Sequence, residues 1–158
     1  MVIYYILMIL WFMFFIIDKL ILSKTALKKN IFTAVSIGIC IFLIVGLRHV
    51  SVGADTDQYI YRYNYVVYPL DWSIFYRDEW FFHGIAAITK SLGFSNQGFL
   101  IVMSFINSVI FTRFFYKYSK NVLLSFFLHM TIGLFTMSLS GMRQMLAVSM
   151  VLISFDYF

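Results

Sequence analysis

Residues 46–63 of this chain, GLRHVSVGADTDQYIYRY, form a polar segment that directly follows an uncharged apolar run. Asp55 and Asp57 have a D-x-D spacing that can hold a divalent cation, but two acids alone would not complete an octahedral oxygen site, and we expect no metal. A turn after Gly53, with Asp55 capping the next helix, would explain the same residues. Arg48 could bind an anion, or anchor and cap the negative end of the preceding helix.

Arg143 stands at the start of the last apolar run, GMRQMLAVSM. In the first turn of a helix, a guanidinium, the free backbone N–H groups and the positive helix end converge on one spot. These groups together predict a site for a phosphate or pyrophosphate. An arginine at the membrane interface is the plainer alternative.

Two further features could take part in chemistry at the same place. Glu79 directly precedes the apolar stretch WFFHGIAAIT, where it could act as a general base or simply be an acid favoured at a helix N-terminus. Tyr59 belongs to the run QYIYRYNYVVY. Its tyrosines are typical of an aromatic belt at a membrane surface, and they could also stack on sugar rings.

The elements that position these residues are predicted to be membrane helices. The chain has 158 residues, of which 62% are hydrophobic and 12% charged, too apolar for the exterior of a soluble domain. The net charge of +5 would suggest a nucleic-acid partner in a soluble protein. Here the basic residues flank apolar runs, so they indicate membrane orientation and not nucleic-acid binding. A single cysteine, Cys40, excludes a disulfide framework.

The sequence therefore predicts one all-α, polytopic membrane domain over residues 1–158, with about five transmembrane helices. The connections 18–30 and 113–120 hold seven basic residues and one acid, whereas the outer parts are balanced with five of each. The positive-inside rule puts both connections in the cytoplasm and the N-terminus outside. The predicted helices are 1–22, 31–47, 97–115, 121–139 and 142–158, with an outer segment over 48–96.

The apolar stretch 80–89 lies between Glu79 and Lys90. Ten helical residues rise about 15 Å, which is roughly half of the hydrocarbon core. If this stretch spanned the membrane, the later segments would reverse and three basic residues would move outside. We therefore predict a re-entrant or interfacial half-helix on the outer face.

The string Arg48, Val52-Gly53-x-Asp55-Thr56, Tyr59 resembles the signature of the EpsG family of polysaccharide-polymerase-like membrane proteins. Glu79 before an aromatic-apolar run and GMRQMLAVSM near the end are similar to later motifs of that family. The resemblance implies a Wzy-like polymerase that joins oligosaccharide repeat units carried on undecaprenyl diphosphate. It would work at the outer face of the bacterial cytoplasmic membrane, in exopolysaccharide or capsule synthesis.

The resemblance also implies roles for the site residues. Arg48 and Arg143 would hold the diphosphate, with Gln144, Asp57 and Tyr59 in the substrate-binding set, and Asp55 or Glu79 would take the acceptor proton. No cofactor is expected, and the expected partners are the lipid-linked oligosaccharide, the bilayer and other membrane proteins of polysaccharide synthesis. Family members are typically longer, so we expect this chain to be the N-terminal portion of a longer protein, and such a portion could be inactive alone.

A non-enzymatic protein is the alternative, either half of a polysaccharide flippase or transporter or a scaffold subunit of the biosynthetic complex. A flippase should carry charged residues deep in several spans. Here His129 is the one ionisable residue in the middle of a predicted span. We expect it to be a neutral histidine that is hydrogen-bonded between helices. The clustering of charge at one face favours chemistry at a surface.

Overall fold

The computed structural model describes residues 2–20, 30–67 and 79–157, and over these ranges the chain is helical, without a strand. The prediction of an all-α fold is therefore confirmed for this part of the chain. Residues 1 and 21–22 of the predicted first helix, 68–78 of the outer segment and residue 158 lie outside the described residues. The elements are α1 Val2–Leu20, α2 Ile31–Gly46, α3 Thr56–Tyr65, α4 Trp80–Ser91, α5 Asn96–Tyr118, α6 Val122–Thr131, α7 Leu134–Ser140, α8 Met142–Ser154 and a 3₁₀ turn Phe155–Tyr157.

Helices α2 and α5 form the antiparallel centre of the bundle. Gly38 faces Thr112, and Gly46 faces Ser104, so the two helices run in opposite directions. A Cβ atom at Gly38 would overlap the Thr112 side chain, and the Ser108 hydroxyl donates to the Gly38 carbonyl at 2.6 Å. Small residues therefore let these two backbones approach closely, as in packed membrane helices.

The remaining helices pack around two clusters of buried apolar side chains. One cluster joins α1, α2, α6 and α7, and its largest members include Trp11, Ile37 and Phe126. The other joins α3, α4, α5 and α8 and includes Tyr59, Phe82 and Phe99. The polar helix α3 and the short helix α4 are thus held on the same side of the bundle as α8.

Contacts between helix ends fix the directions of the outer helices. Near the end of α1, Asp18 accepts a 2.7 Å hydrogen bond from the Thr33 hydroxyl in the first turn of α2. The Phe155 ring after α8 packs on Phe114 and Tyr118, near the end of α5, with centroids 5.8 and 5.4 Å apart. The C-terminal ends of α1, α5 and α8 therefore lie at one end of the bundle. The polar segment lies at the other end.

The apolar run 121–139 forms two helices instead of one. Helices α6 and α7 meet at a bend of 57°, and Gly133 between them has a φ of +94°. The hydroxyl of Thr131 also donates to the carbonyl of Phe127 at 3.1 Å, a bond that bends helices by competing with the backbone ladder. The left-handed glycine ends α6 and turns the chain into α7.

One helix of the described residues, α5, is long and apolar enough to cross a membrane. The count rises to two if the bent pair α6–α7 is taken as one span. Helices α2 and α8 are apolar but shorter. Large apolar side chains such as Ile9, Ile39 and Phe105 are more than half exposed on the outer surfaces of the bundle, which is typical of a membrane protein.

Lys90, the last-turn cation of α4, holds α3 in place. Its Nζ atom donates to the carbonyls of Tyr63, Asn64 and Val67 at 2.8, 2.8 and 2.6 Å. These carbonyls belong to the C-terminal end of α3, where a cation is favoured. The Tyr63 hydroxyl donates to the Phe94 carbonyl at 2.8 Å, in the turn between α4 and α5. The cation and this hydroxyl therefore fix the relative positions of α3, α4 and α5.

Candidate functional site

Arg143 and Glu79, 64 residues apart in sequence, form an ion pair through one guanidinium nitrogen and both carboxylate oxygens. The Nη1 atom of Arg143 donates to both carboxylate oxygens of Glu79, at 2.8 and 2.7 Å. The side chains are 32% and 43% exposed, so solvent reaches the pair. Glu79 directly precedes α4 with a φ of +60°, a left-handed conformation that costs a non-glycine residue about 1–3 kcal/mol and is typical of functional sites.

Tyr59 supports the guanidinium from the core side. Its ring lies 5.5 Å from the Arg143 Cζ atom, and its hydroxyl accepts a long 3.5 Å hydrogen bond from Arg143 Nε. The Tyr59 side chain is buried and packs on Phe82 of α4 with centroids 5.7 Å apart. Three separate helices, α3, α4 and α8, therefore meet at one arginine.

The segment 49–56 packs on the C-terminal end of α7, directly before α8 and Arg143. Gly53 has a φ of +102°, and a Cβ atom there would overlap the Leu139 carbonyl oxygen. The buried Thr56 hydroxyl is placed to donate to the carbonyls of Val52 at 2.8 Å and Leu139 at 3.2 Å. The Ala54 N–H donates to the Ser140 hydroxyl at 3.3 Å. Glycine and threonine are thus the residues that let the segment dock closely on this helix end.

Arg48 is buried, with 6% of its surface exposed. Its Nη1 atom donates to the Val45 carbonyl at 2.8 Å and the Ser138 carbonyl at 3.4 Å. The first of these bonds caps the last turn of α2, as the helix-capping interpretation expected. The Nε and Nη2 atoms have no hydrogen-bond partner among the described residues. Burial lowers the pKa of Arg48 to about 10, so the guanidinium remains charged at neutral pH.

The other candidate residues surround this arrangement. Asp55 occupies the N-cap position of α3, half-buried, but its side chain makes no capping hydrogen bond within the described ranges. Asp57 is exposed in the first turn of α3, and Gln144 is exposed beside Arg143. In the part of the chain that the structure describes, no three histidine, cysteine, aspartate or glutamate residues are grouped in a way that could hold a metal ion.

A groove of about 310 Å³ runs from the ion pair along α8, and we call it the α4–α8 groove. Sequence reasoning identified its polar head but missed its apolar walls. The spacing of Leu146, Ala147 and Met150 behind Arg143 was the available signal, because residues at i+3, i+4 and i+7 share a helix face. The groove is lined by Glu79, Phe81, Phe82, Arg143, Gln144, Leu146, Ala147 and Met150.

His129 lies apart from this site in the interior of the bundle. It is buried against the rings of Phe111 and Phe115, at centroid distances of 4.8 and 5.8 Å. Its Nδ1 atom finds no hydrogen-bond partner in the ranges 2–20, 30–67 and 79–157. The expected hydrogen bond between helices is therefore not observed at this nitrogen.

A sequence model of the EpsG family matches residues 30–158, a range that contains every candidate site residue named above. No curated protein and no solved structure matches the chain.

Proposed function

The chain belongs to the EpsG family, and from this premise we propose that it polymerises lipid-linked oligosaccharide repeat units in exopolysaccharide or capsule synthesis. One observation carries the proposal. The Arg143–Glu79 pair on Tyr59 joins an anion-binding group and a carboxylate base at the head of an apolar groove. A reaction of a lipid diphosphate with a sugar hydroxyl is accelerated by a base for the hydroxyl and by a cation for the leaving diphosphate, and an apolar surface beside them suits the lipid.

The proposed membrane arrangement has five spans in a single domain, namely α1, α2, α5, the bent pair α6–α7, and α8. The antiparallel contacts between helix ends support it, since they put the polar segment and Arg143 at the same end. Both ends of the twelve-residue helix α4 lie there too: Glu79 pairs with Arg143, and Phe94 leads directly into α5. Helix α4 is therefore proposed as the re-entrant or interfacial half-helix, at the outer face of the bacterial cytoplasmic membrane, with the N-terminus outside.

In the proposed reaction, the donor is a growing chain on undecaprenyl diphosphate. One phosphate of the donor takes the place of the Glu79 carboxylate on Arg143, because two phosphate oxygens can accept from Nη1 as the two carboxylate oxygens do. The released Glu79 then accepts the proton of the acceptor hydroxyl. The acceptor oxygen bonds to the anomeric carbon, and the bond from that carbon to the diphosphate oxygen breaks. The diphosphate leaves with the electron pair, and Arg143 stabilises its developing charge.

The other candidates have supporting roles in this proposal. Arg48 supplies a second positive charge, and its Nε and Nη2 atoms, which have no partner among the described residues, are the donors left for a phosphate oxygen. Gln144 and Asp57, both exposed, bind substrate oxygens and hydroxyls. Asp55 is the alternative base. Tyr59, which is buried, acts on the substrate through Arg143, whose guanidinium it holds.

Complementation of a polymerase deletion strain tests the proposal. The gene for this protein is introduced with Arg143→Ala or Arg143→Lys, and Arg113→Ala, at the other end of the bundle, is the matched control. The two Arg143 variants should shorten or abolish the polymer and leave single lipid-linked units at the outer face, whereas Arg113→Ala should not. Unchanged polymer length in Arg143→Ala would reject the diphosphate role. Units trapped on the inner face would indicate a transport function instead.

A further inference from the structure

The α4–α8 groove changes from polar to apolar along its length. Its head holds Arg143 and Glu79, and its floor is formed by Phe82 and Leu146, which are 4% and 2% exposed. Met150 lines the groove seven residues after Arg143, about 10 Å farther along α8. A ligand that matches this surface has an anionic head and a flexible apolar chain of at least that length.

The head of the groove already holds an anion of the right shape. The Glu79 carboxylate occupies Arg143 with two charge-assisted hydrogen bonds, at 2.8 and 2.7 Å. Glu79 is the residue directly before α4, so its carboxylate is presented at the mouth of the groove. A ligand phosphate that replaces this carboxylate would keep both hydrogen bonds on the arginine.

A second groove in the bundle provides a comparison. It has a volume of about 380 Å³, lies between α2 and α5, and is lined mainly by apolar side chains, including Phe42, Phe105 and Val109. Its arginine, Arg113, follows the apolar part toward the C-terminal end of α5, at the end of the bundle away from the polar segment. The groove between α2 and α5 could therefore hold an apolar chain, but the anionic head of a ligand bound there would not reach Glu79.

We infer that the α4–α8 groove seats the first isoprenoid segment of the lipid diphosphate, with the phosphate on Arg143 and the chain between Phe82 and Met150. This inference rests on the proposed function for the identity of the lipid. The seat fixes the diphosphate relative to Glu79, because a chain anchored on Leu146 and Ala147 can present its phosphate only at the head of the groove. The groove thus selects isoprenoid diphosphates over free pyrophosphate.

Binding measurements on the purified full chain in phosphatidylcholine nanodiscs test the inference. The probes are farnesyl diphosphate, which has head and tail, and inorganic pyrophosphate, which has the head alone. Ala147→Trp fills the groove from its exposed wall, and Met150→Trp fills it from the far end in case the first variant does not fold. Val151→Trp is the matched control, because Val151 is 65% exposed on the same helix and does not line the groove.

Ala147→Trp should raise the Kd for farnesyl diphosphate by about tenfold or more, the equivalent of two lost methylene contacts, and leave that for pyrophosphate unchanged. Val151→Trp should alter neither constant, and Arg143→Ala should weaken both. Equal binding of farnesyl diphosphate by Ala147→Trp, Met150→Trp and Val151→Trp would overturn the tail site, as would competition by phosphatidylglycerol placed in the nanodisc.

The same variants separate this inference from the proposed function. If Ala147→Trp and Arg143→Ala both weaken the binding of farnesyl diphosphate while cells that carry either variant still make normal polymer, the tail site stands and the polymerase proposal fails. If Arg143→Ala abolishes polymer while Ala147→Trp changes neither binding nor polymer, the polymerase proposal stands and the tail site fails.

Discussion

Replacement of Gly53 by alanine tests whether the segment 49–56 docks on the C-terminal end of α7. An L-residue in this left-handed conformation, at a φ of +102°, costs about 1–2 kcal/mol relative to glycine. The new Cβ atom would overlap the Leu139 carbonyl oxygen and lie 2.7 Å from the Thr56 hydroxyl. A backbone carbonyl cannot rotate away as a side chain can, so the segment must lift off and weaken the Thr56–Leu139 hydrogen bond.

The second effect adds about 1–3 kcal/mol, from the lost hydrogen bond and the disturbed packing. The matched control is Gly93→Ala, since Gly93 has a φ of +75° and nothing within 4 Å of the added atom. Gly93→Ala should therefore lower the free energy of unfolding by about 1–2 kcal/mol, and Gly53→Ala by about 2–5 kcal/mol. The difference between the two isolates the close approach to Leu139.

Denaturant unfolding in mixed micelles measures both variants, and hydrogen exchange gives a local readout. The Ala54 amide, which donates to the Ser140 hydroxyl at 3.3 Å, should exchange faster in Gly53→Ala and at the wild-type rate in Gly93→Ala. Equal losses of stability in the two variants, with an unchanged Ala54 amide, would refute the docking of the segment on α7. The position of the polar segment would then not depend on the helix end that precedes Arg143.

Three further substitutions have expected outcomes. Glu79→Gln should change the free energy of unfolding by less than about 1 kcal/mol, because its pair with Arg143 is partly exposed, yet lower the polymerisation rate by about 10²–10⁴-fold. A large loss of stability with normal polymer would instead mean that the pair is structural. Lys90→Met removes three hydrogen bonds from the end of α3 and should cost about 1–3 kcal/mol in denaturant unfolding; full stability would contradict this cap. Thr33→Val removes the hydroxyl that donates to the buried Asp18, at a cost of about 1–3 kcal/mol that Thr33→Ser should restore.

Helix positions could be predicted closely because the signals for them are local. The uncharged run 31–47 became α2 Ile31–Gly46, and the short stretch bounded by Glu79 and Lys90 became a separate twelve-residue helix. Hydrophobic length and flanking charge act over a few turns, so they can be read directly along the chain. The break at Gly133 was missed because the composition on both sides is uniformly apolar, and the bend follows from one left-handed residue.

The residue types of the site were also evident from sequence, whereas their partners were not. Arg143 was predicted to bind an anion, but that the Glu79 carboxylate lies against it depends on how α4 packs against α8. Arg48 shows the same division, because its charge is given by sequence and its burial under Ser138 by the fold. Periodicity defines which face of a helix is apolar. Only the mutual packing of several such faces decides which polar groups at their ends meet.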